Sequence, residues 1–271
     1  MSDFLEQIIL ERRGDVAAAR AAVSDERMRS QARVGPLRPF DQFHEALRNR
    51  DRRMGLAVIA EVKRVSPAAG ILVRALDPAA QAKRYVAAGA TAVSVLVENR
   101  HWGGSMEDLV AVRAAVSVPI LAKDVIVDAY QIYEARAAGA DAVLLIAEAL
   151  DESDLRRLVS VAKGLGMCAL VEAHEASAFG RAVQSGAQVV GVNARNLRRP
   201  ADIDVGRVRQ LHTFAHPEQI LVAESGITSV DDARMLPARV DAVLVGTALM
   251  RADDPGPLIH GIASMKRVVH A

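Results

Sequence analysis

AAGADAVLLI, residues 137–146, packs a helix end, a glycine and a buried strand into ten letters. Gly139 sits where a helix hands over to a turn in the left-handed region, a position that favours glycine. The run that follows is apolar at consecutive positions, so this strand has no solvated face and belongs in a sheet covered on both sides. The phrase recurs as AAGATAVSVL (87–96), as QSGAQVVGVN (184–193) and, without its glycine, as ARVDAVLVGT (238–247). Four further apolar runs lie between these phrases, at 56–63, 119–124, 168–173 and 220–225.

The intervening segments carry helix punctuation. Asp77-Pro78 is an N-cap followed by proline in the first turn. Asp151 and Ser153 open DLRRLVSVAK, and Thr228 with Asp231 reads as a capping box before ARML. Eight apolar strands alternating with helices define an α/β chain and fit a (β/α)8 barrel. A doubly wound open sheet is the alternative, disfavoured because no GxGxxG follows a strand. Residues 1–54 lie outside the repeat. They are charged and helical in pattern, with Phe4 and Ile8 on one face, and are expected to form an N-terminal helical extension packed on the barrel, over its mouth or against its outside. Gly35-Pro36 and Arg38-Pro39 mark a break before a segment at Phe40–Arg48. The expected division is an extension at 1–54 and a catalytic barrel at 55–271, a single domain overall.

Composition removes several function classes. The formal net charge of +1 provides no field for nucleic acid or an anionic membrane, and 3% aromatic residues provide few stacking platforms for single strands. The one cysteine, Cys168, rules out an intrachain disulfide and is assigned to the core. The seven histidines show neither HExxH nor close pairing, so no metal is expected. Arg198-Arg199 reads as a solvated loop. No run of apolar residues is long enough to span a bilayer, and the charged N-terminus lacks an apolar signal core. A cytoplasmic location and a monomer are expected.

The strand ends are charged. The first run ends in Glu61 and Lys63, the second in Glu98, the third in Lys123 and Asp124, the fifth in Glu172, the sixth in Asn193 and Arg195, and the seventh in Glu224 and Ser225. Burying a charge costs several kcal/mol unless it is paired, and barrel enzymes place their chemistry at the C-terminal strand ends. Lys63, Lys123 and Glu172 all come from odd-numbered strands and are expected to project inward together. Lysines and glutamates around one cavity hold one another's pKa values apart, which keeps an acid and a base available near neutral pH. ESGI and GTALM place small residues and free N–H groups after strands seven and eight, where barrels commonly bind phosphate, so Gly226, Gly246 and Thr247 are the candidate cradle. The long connection at 64–77 reads as a binding loop, and Trp102 in NRHWGGS (99–105) as an apolar wall of the mouth.

AVIAEVKRVSPAAG, PILAKDVIVDAYQIYEARAAGADAVLLI, LVEAH, GVNARNL, ESGI and VGTALMRADDPG, in that order, resemble the successive signatures of the indole-3-glycerol-phosphate synthase family. The resemblance implies a phosphate-binding barrel of tryptophan biosynthesis that uses no metal or organic cofactor. Its substrate would be 1-(2-carboxyphenylamino)-1-deoxyribulose 5-phosphate, which undergoes ring closure, decarboxylation and dehydration. It implies Lys123 as the acid at the ketone oxygen, and Lys63 and Glu172 as sharing the dehydration, with Glu61 paired to Lys63. Ser66, Asn193, Arg195, Glu224 and Ser225 would line the substrate or hold the charged network. The family usually reads SPS, RKDF and NNRNL where this chain has Ala68, Ala122 with Val125, and Ala194. The missing Phe at Val125 removes an aromatic surface beside Lys123, one that Trp102 could replace. The competing readings are a paralogous barrel enzyme acting on a modified anthranilate or another sugar phosphate, and a barrel that binds without catalysis. The complete set of charged residues argues against the last.

Overall fold

The glycine phrases and the apolar runs between them fold as eight parallel strands: β1 Ala57–Val62, β2 Ala92–Leu96, β3 Ile120–Lys123, β4 Ala142–Ile146, β5 Cys168–Ala173, β6 Val189–Asn193, β7 Ile220–Glu224 and β8 Ala242–Val245. Each pairs with the next, and β8 closes on β1 with Ala57 level with Ala242 and Ala60 with Val245. The open-sheet alternative therefore does not apply. The structure, a computed structural model, describes residues 3–34, 41–48 and 55–266. The predicted break at Gly35-Pro36 and Arg38-Pro39, together with Phe40, lies outside the described residues.

Strand parity explains the absence of a polar face. Ala57, Ile59, Leu121, Leu144, Leu170, Val222 and Leu244 pack inside the barrel, whereas Val58, Ala60, Val143, Leu145, Val171, Val190 and Val243 pack outward under the helices. Cys168 is one of the inner set, and burial pushes its thiol up. Between strands, helix ends turn through Gly139 with φ of 95°, a region that penalises any Cβ. Asp77 accepts the N–H of Ala80 at 3.0 Å and Asp151 that of Asp154 at 2.8 Å, as expected of N-caps. The later capping box is displaced by one residue, to Ser229 and Asp232. Ser229 has the extended backbone a cap needs (φ −142°), and the Thr228 hydroxyl instead donates to the same Asp232 carboxylate.

The N-terminal helices pack at three places. In α1 (Phe4–Ala22), Leu5 and Ile8 join the inner cluster, Arg12 pairs with Asp124 at 2.5 Å and Arg20 with Asp128 at 2.8 Å. This sets α1 across the C-terminal end of the barrel. α2 (Asp25–Val34) lies along the outer helix Ala129–Ala137. α3 (Gln42–Arg48) plugs the opposite end: Phe43 and Leu47 are buried against the inner cluster, and the Asp41 N–H donates to Gly166 O at 3.2 Å, just before β5. Phe43→Ala is expected to lower stability by ~3–5 kcal/mol, the usual effect of truncating a buried Phe, seen as a lower denaturant midpoint with unchanged slope. Among the described residues no helix is long and apolar enough to cross a membrane.

Candidate active site

Along the odd strands the inner apolar series changes character at its last step. Ile59 is followed two residues on by Glu61, Leu121 by Lys123, Leu170 by Glu172 and Val222 by Glu224. Period two keeps all four on the inside, at the floor of a cavity of about 760 Å³ at the C-terminal strand ends. All twelve candidate residues line it: Glu61, Lys63, Ser66, Lys123, Glu172, Asn193, Arg195, Glu224, Ser225, Gly226, Gly246 and Thr247.

Two lysines and their ion pairs organise the floor. Lys63 Nζ lies 2.6 Å from Glu61 Oε1. Lys123 Nζ lies 3.2 Å from Glu172 Oε2 and 3.5 Å from Glu224 Oε2. Burial alone would lower the Lys123 pKa, but the charges of Glu172, Glu224 and Glu61 outweigh it and raise the ammonium above its ordinary value. The direction of the shift favours the protonated ammonium, the form needed of an acid or a positive charge. The Glu224 pKa is raised as well, but for a carboxyl this favours the neutral form. Burial and the adjacent Glu172 push its carboxyl well above the ordinary range, with Lys123 opposing, and neither oxygen accepts a hydrogen bond from a fixed donor.

Raising the Glu224 pKa in the folded state means the folded chain binds more protons than the unfolded one, starting from about the ordinary 4.5 and continuing up to the shifted value. That contribution to stability is present below the unfolded pKa and is lost as pH rises through the folded one. Glu224→Gln removes the titration. It should unfold at a higher temperature than the parent at pH 8, with the gap narrowing as pH falls towards the ordinary glutamate range.

Asn193 ties the floor to the rim. Its Nδ2 donates to Glu172 Oε1 at 3.4 Å, and its Oδ1 accepts from Ser225 Oγ at 2.8 Å and from the Arg195 N–H at 2.9 Å. Burial lowers the Arg195 pKa against the opposing charge of Glu61, and its guanidinium also donates to Pro200 O. Ser225 and Gly226 both have positive φ, 66° and 76°, which turns the chain sharply after β7. Gly246 lies against the first ion pair: a Cβ there would stand 2.2 Å from Glu61 Oε1 and 2.8 Å from Lys63 Nζ. Ser66 sits on a short hairpin, Val65–Ser66 with Gly70–Ile71, inside the long loop after β1.

Other strand-end acids serve the scaffold. Both Glu98 oxygens accept backbone N–H groups of the following loop, from Arg100, His101 and Trp102 at 2.9, 2.7 and 3.1 Å. Asp124 is held by Arg12 and by Gln131 Nε2 at 3.0 Å. Trp102 lines the mouth, as expected. Phe4, Leu5 and Ile8 of α1 line it as well, with the Phe4 ring 6.3 Å from that of Trp102. The spacing of Phe4 and Ile8 showed a shared face but not the surface it covers. Among the described residues, one group brings three metal-capable donors together: Asp41, His44 and Glu45, at the plugged end of the barrel.

The family model described as indole-3-glycerol phosphate synthase matches residues 5–262. The chain belongs to the indole-3-glycerol phosphate synthase family. It is 49% identical over 256 residues to the indole-3-glycerol phosphate synthase of Nocardioides sp., covering 93% of this chain and 94% of the relative. The corresponding protein of Carboxydothermus hydrogenoformans is 42% identical over 257 residues, covering 93% and 97%. Among solved structures, a 3-hexulose-6-phosphate synthase shares the fold, with a TM-score of 0.61 at 16% identity, covering 77% of this chain and 98% of that one. Of the positions where this chain departs from the indole-3-glycerol phosphate synthase signatures, Ala122 faces outward under the helices and Ala194 is buried. Ala68 and Val125 line the cavity, so these two positions bear on what it holds.

Proposed function

We propose that this chain closes the indole ring of 1-(2-carboxyphenylamino)-1-deoxyribulose 5-phosphate, releasing CO₂ and water to give indole-3-glycerol phosphate. The observation that carries this reading is Lys123 Nζ lying 3.2 Å from Glu172 and 3.5 Å from Glu224 in the same cavity as a second acid–base pair, Glu61 and Lys63, 2.6 Å apart. The carboxylate-bearing ring carbon attacks the ketone carbon, and the ketone oxygen takes a proton from Lys123. CO₂ leaves and its bonding electrons restore the aromatic ring. The new hydroxyl then leaves as water while the adjacent carbon loses a proton, an exchange shared by Lys63 and Glu172. General acid–base steps of this kind are each worth about 10²- to 10⁴-fold.

The phosphate falls to Gly226, Gly246 and Thr247, where left-handed backbone after β7 and a helix start after β8 offer N–H donors. Arg195, Ser66 and Ser225 line the remainder. The aryl ring lies against Phe4 and Trp102, the aromatic surface that compensates for Val125. Growth without tryptophan of a bacterial strain lacking its own indole-3-glycerol phosphate synthase, restored by this gene, is the expected result. Abundant folded protein with no rescue would instead favour a modified anthranilate as substrate.

A further inference from the structure

His174 continues the inner face of β5 two residues beyond Glu172, and the acid–base steps above do not use it. Its ring is buried, and its Nδ1 lies 2.9 Å from the carbonyl oxygen of Asn193. A carbonyl oxygen only accepts, so Nδ1 carries the proton. Asn193 is the residue whose side chain joins Glu172 to Ser225 and to the Arg195 backbone. On the other side, Glu148 accepts the backbone N–H groups of His174 and Glu175 at 2.7 and 2.8 Å, which holds the backbone that carries the imidazole. A void of about 10 Å³ lies on the side of Glu172 and Asn193 that faces Glu148 and His174. That is at the lower limit for a single water, so the imidazole has little slack there.

We propose that His174 is a positioning residue. Its Nδ1–H holds the Asn193 carbonyl, and through Asn193 it sets the Glu172 carboxylate against Lys123. The proposal rests on the reading in which Glu172 exchanges a proton with the substrate. Loss of the brace lets Glu172 drift while the phosphate and aryl contacts stay in place, so the chemical step suffers and binding does not.

Three variants test it: His174→Ala, His174→Asn and His174→Gln. The Asn amide nitrogen can occupy the place of Nδ1, whereas the Gln amide reaches towards that of Nε2. His174→Ala should lower kcat on the order of tenfold with KM nearly unchanged, as expected for small misplacement of a reacting group. His174→Asn should recover most of that loss and His174→Gln should not. An unchanged kcat in His174→Ala, or equal recovery by Gln and Asn, would overturn the proposal. A second readout needs no turnover. The nitrogen-15 spectrum of the histidines, assigned with His174→Asn, should show Nδ1 of His174 protonated, and a bare Nδ1 would overturn the brace. Absence of turnover by the parent enzyme would count against the proposed reaction, while the tautomer would still report on the brace.

Discussion

Lys123→Ala loses kcat by about 10²- to 10⁴-fold, the range for removing a general acid, and the barrel stays folded. The side chain does two things at once. It presents a proton at the centre of the cavity, and it is the cation between Glu172 and Glu224. Removing one partner of a buried pair ordinarily destabilises by about 3–5 kcal/mol, because a charge is left uncompensated. Glu224 softens that loss, since burial and Glu172 already drive its carboxyl towards the protonated form. Without the lysine it takes up a proton. The destabilisation of Lys123→Ala is therefore small in mild acid and grows as pH rises, because the carboxylates must then ionise with no cation beside them. Product affinity, measured by calorimetry, should change little, since the phosphate cradle lies after β7 and β8, away from β3.

Gly246→Ala should be nearly as damaging by a different route. The added methyl would stand 2.2 Å from Glu61 Oε1 and 2.8 Å from Lys63 Nζ, distances that cannot persist. Both atoms are at the ends of side chains, so the backbone survives and the ion pair moves instead. Glu61 and Lys63 are displaced from the reacting centre, and the start of the helix Thr247–Arg251 is crowded in the same step. A displacement of about 1 Å can cost on the order of 10²-fold in rate. Thermal unfolding close to that of the parent, with kcat/KM lower by that order, is the expected result. A variant that simply fails to fold would show the close contact to be scaffold.

The barrel was legible because its signals are local. Gly139 and its counterparts mark helix ends within a few residues, and inside-out parity along each strand follows from period two once a charged residue appears at the last inward step. The same rule found Glu61, Lys123, Glu172 and Glu224. Parity could not separate Glu98 from Glu224, although both are strand-end glutamates. Glu98 is occupied by three backbone N–H groups of its own loop, and loop conformation is not written in strand pattern. The missed features join residues far apart in the chain. Phe4 reaches the mouth because Arg12 finds Asp124 and Arg198 finds Asp3, pairings that no window of sequence contains. The contact between Gly246 and Glu61 closes the barrel from β8 back to β1, and it explains why a glycine stands there beyond any need for a turn. The displaced capping box is a smaller case, in which Thr228 and Ser229 both suit the role and backbone extension at Ser229 decides.

The most direct test of the account is to mix the purified protein with 1-(2-carboxyphenylamino)-1-deoxyribulose 5-phosphate and follow indole fluorescence together with CO₂ release. The account predicts that both appear in equal amounts. Tight binding of the substrate with neither signal would contradict it, because the charged floor would then be present without performing the chemistry assigned to it.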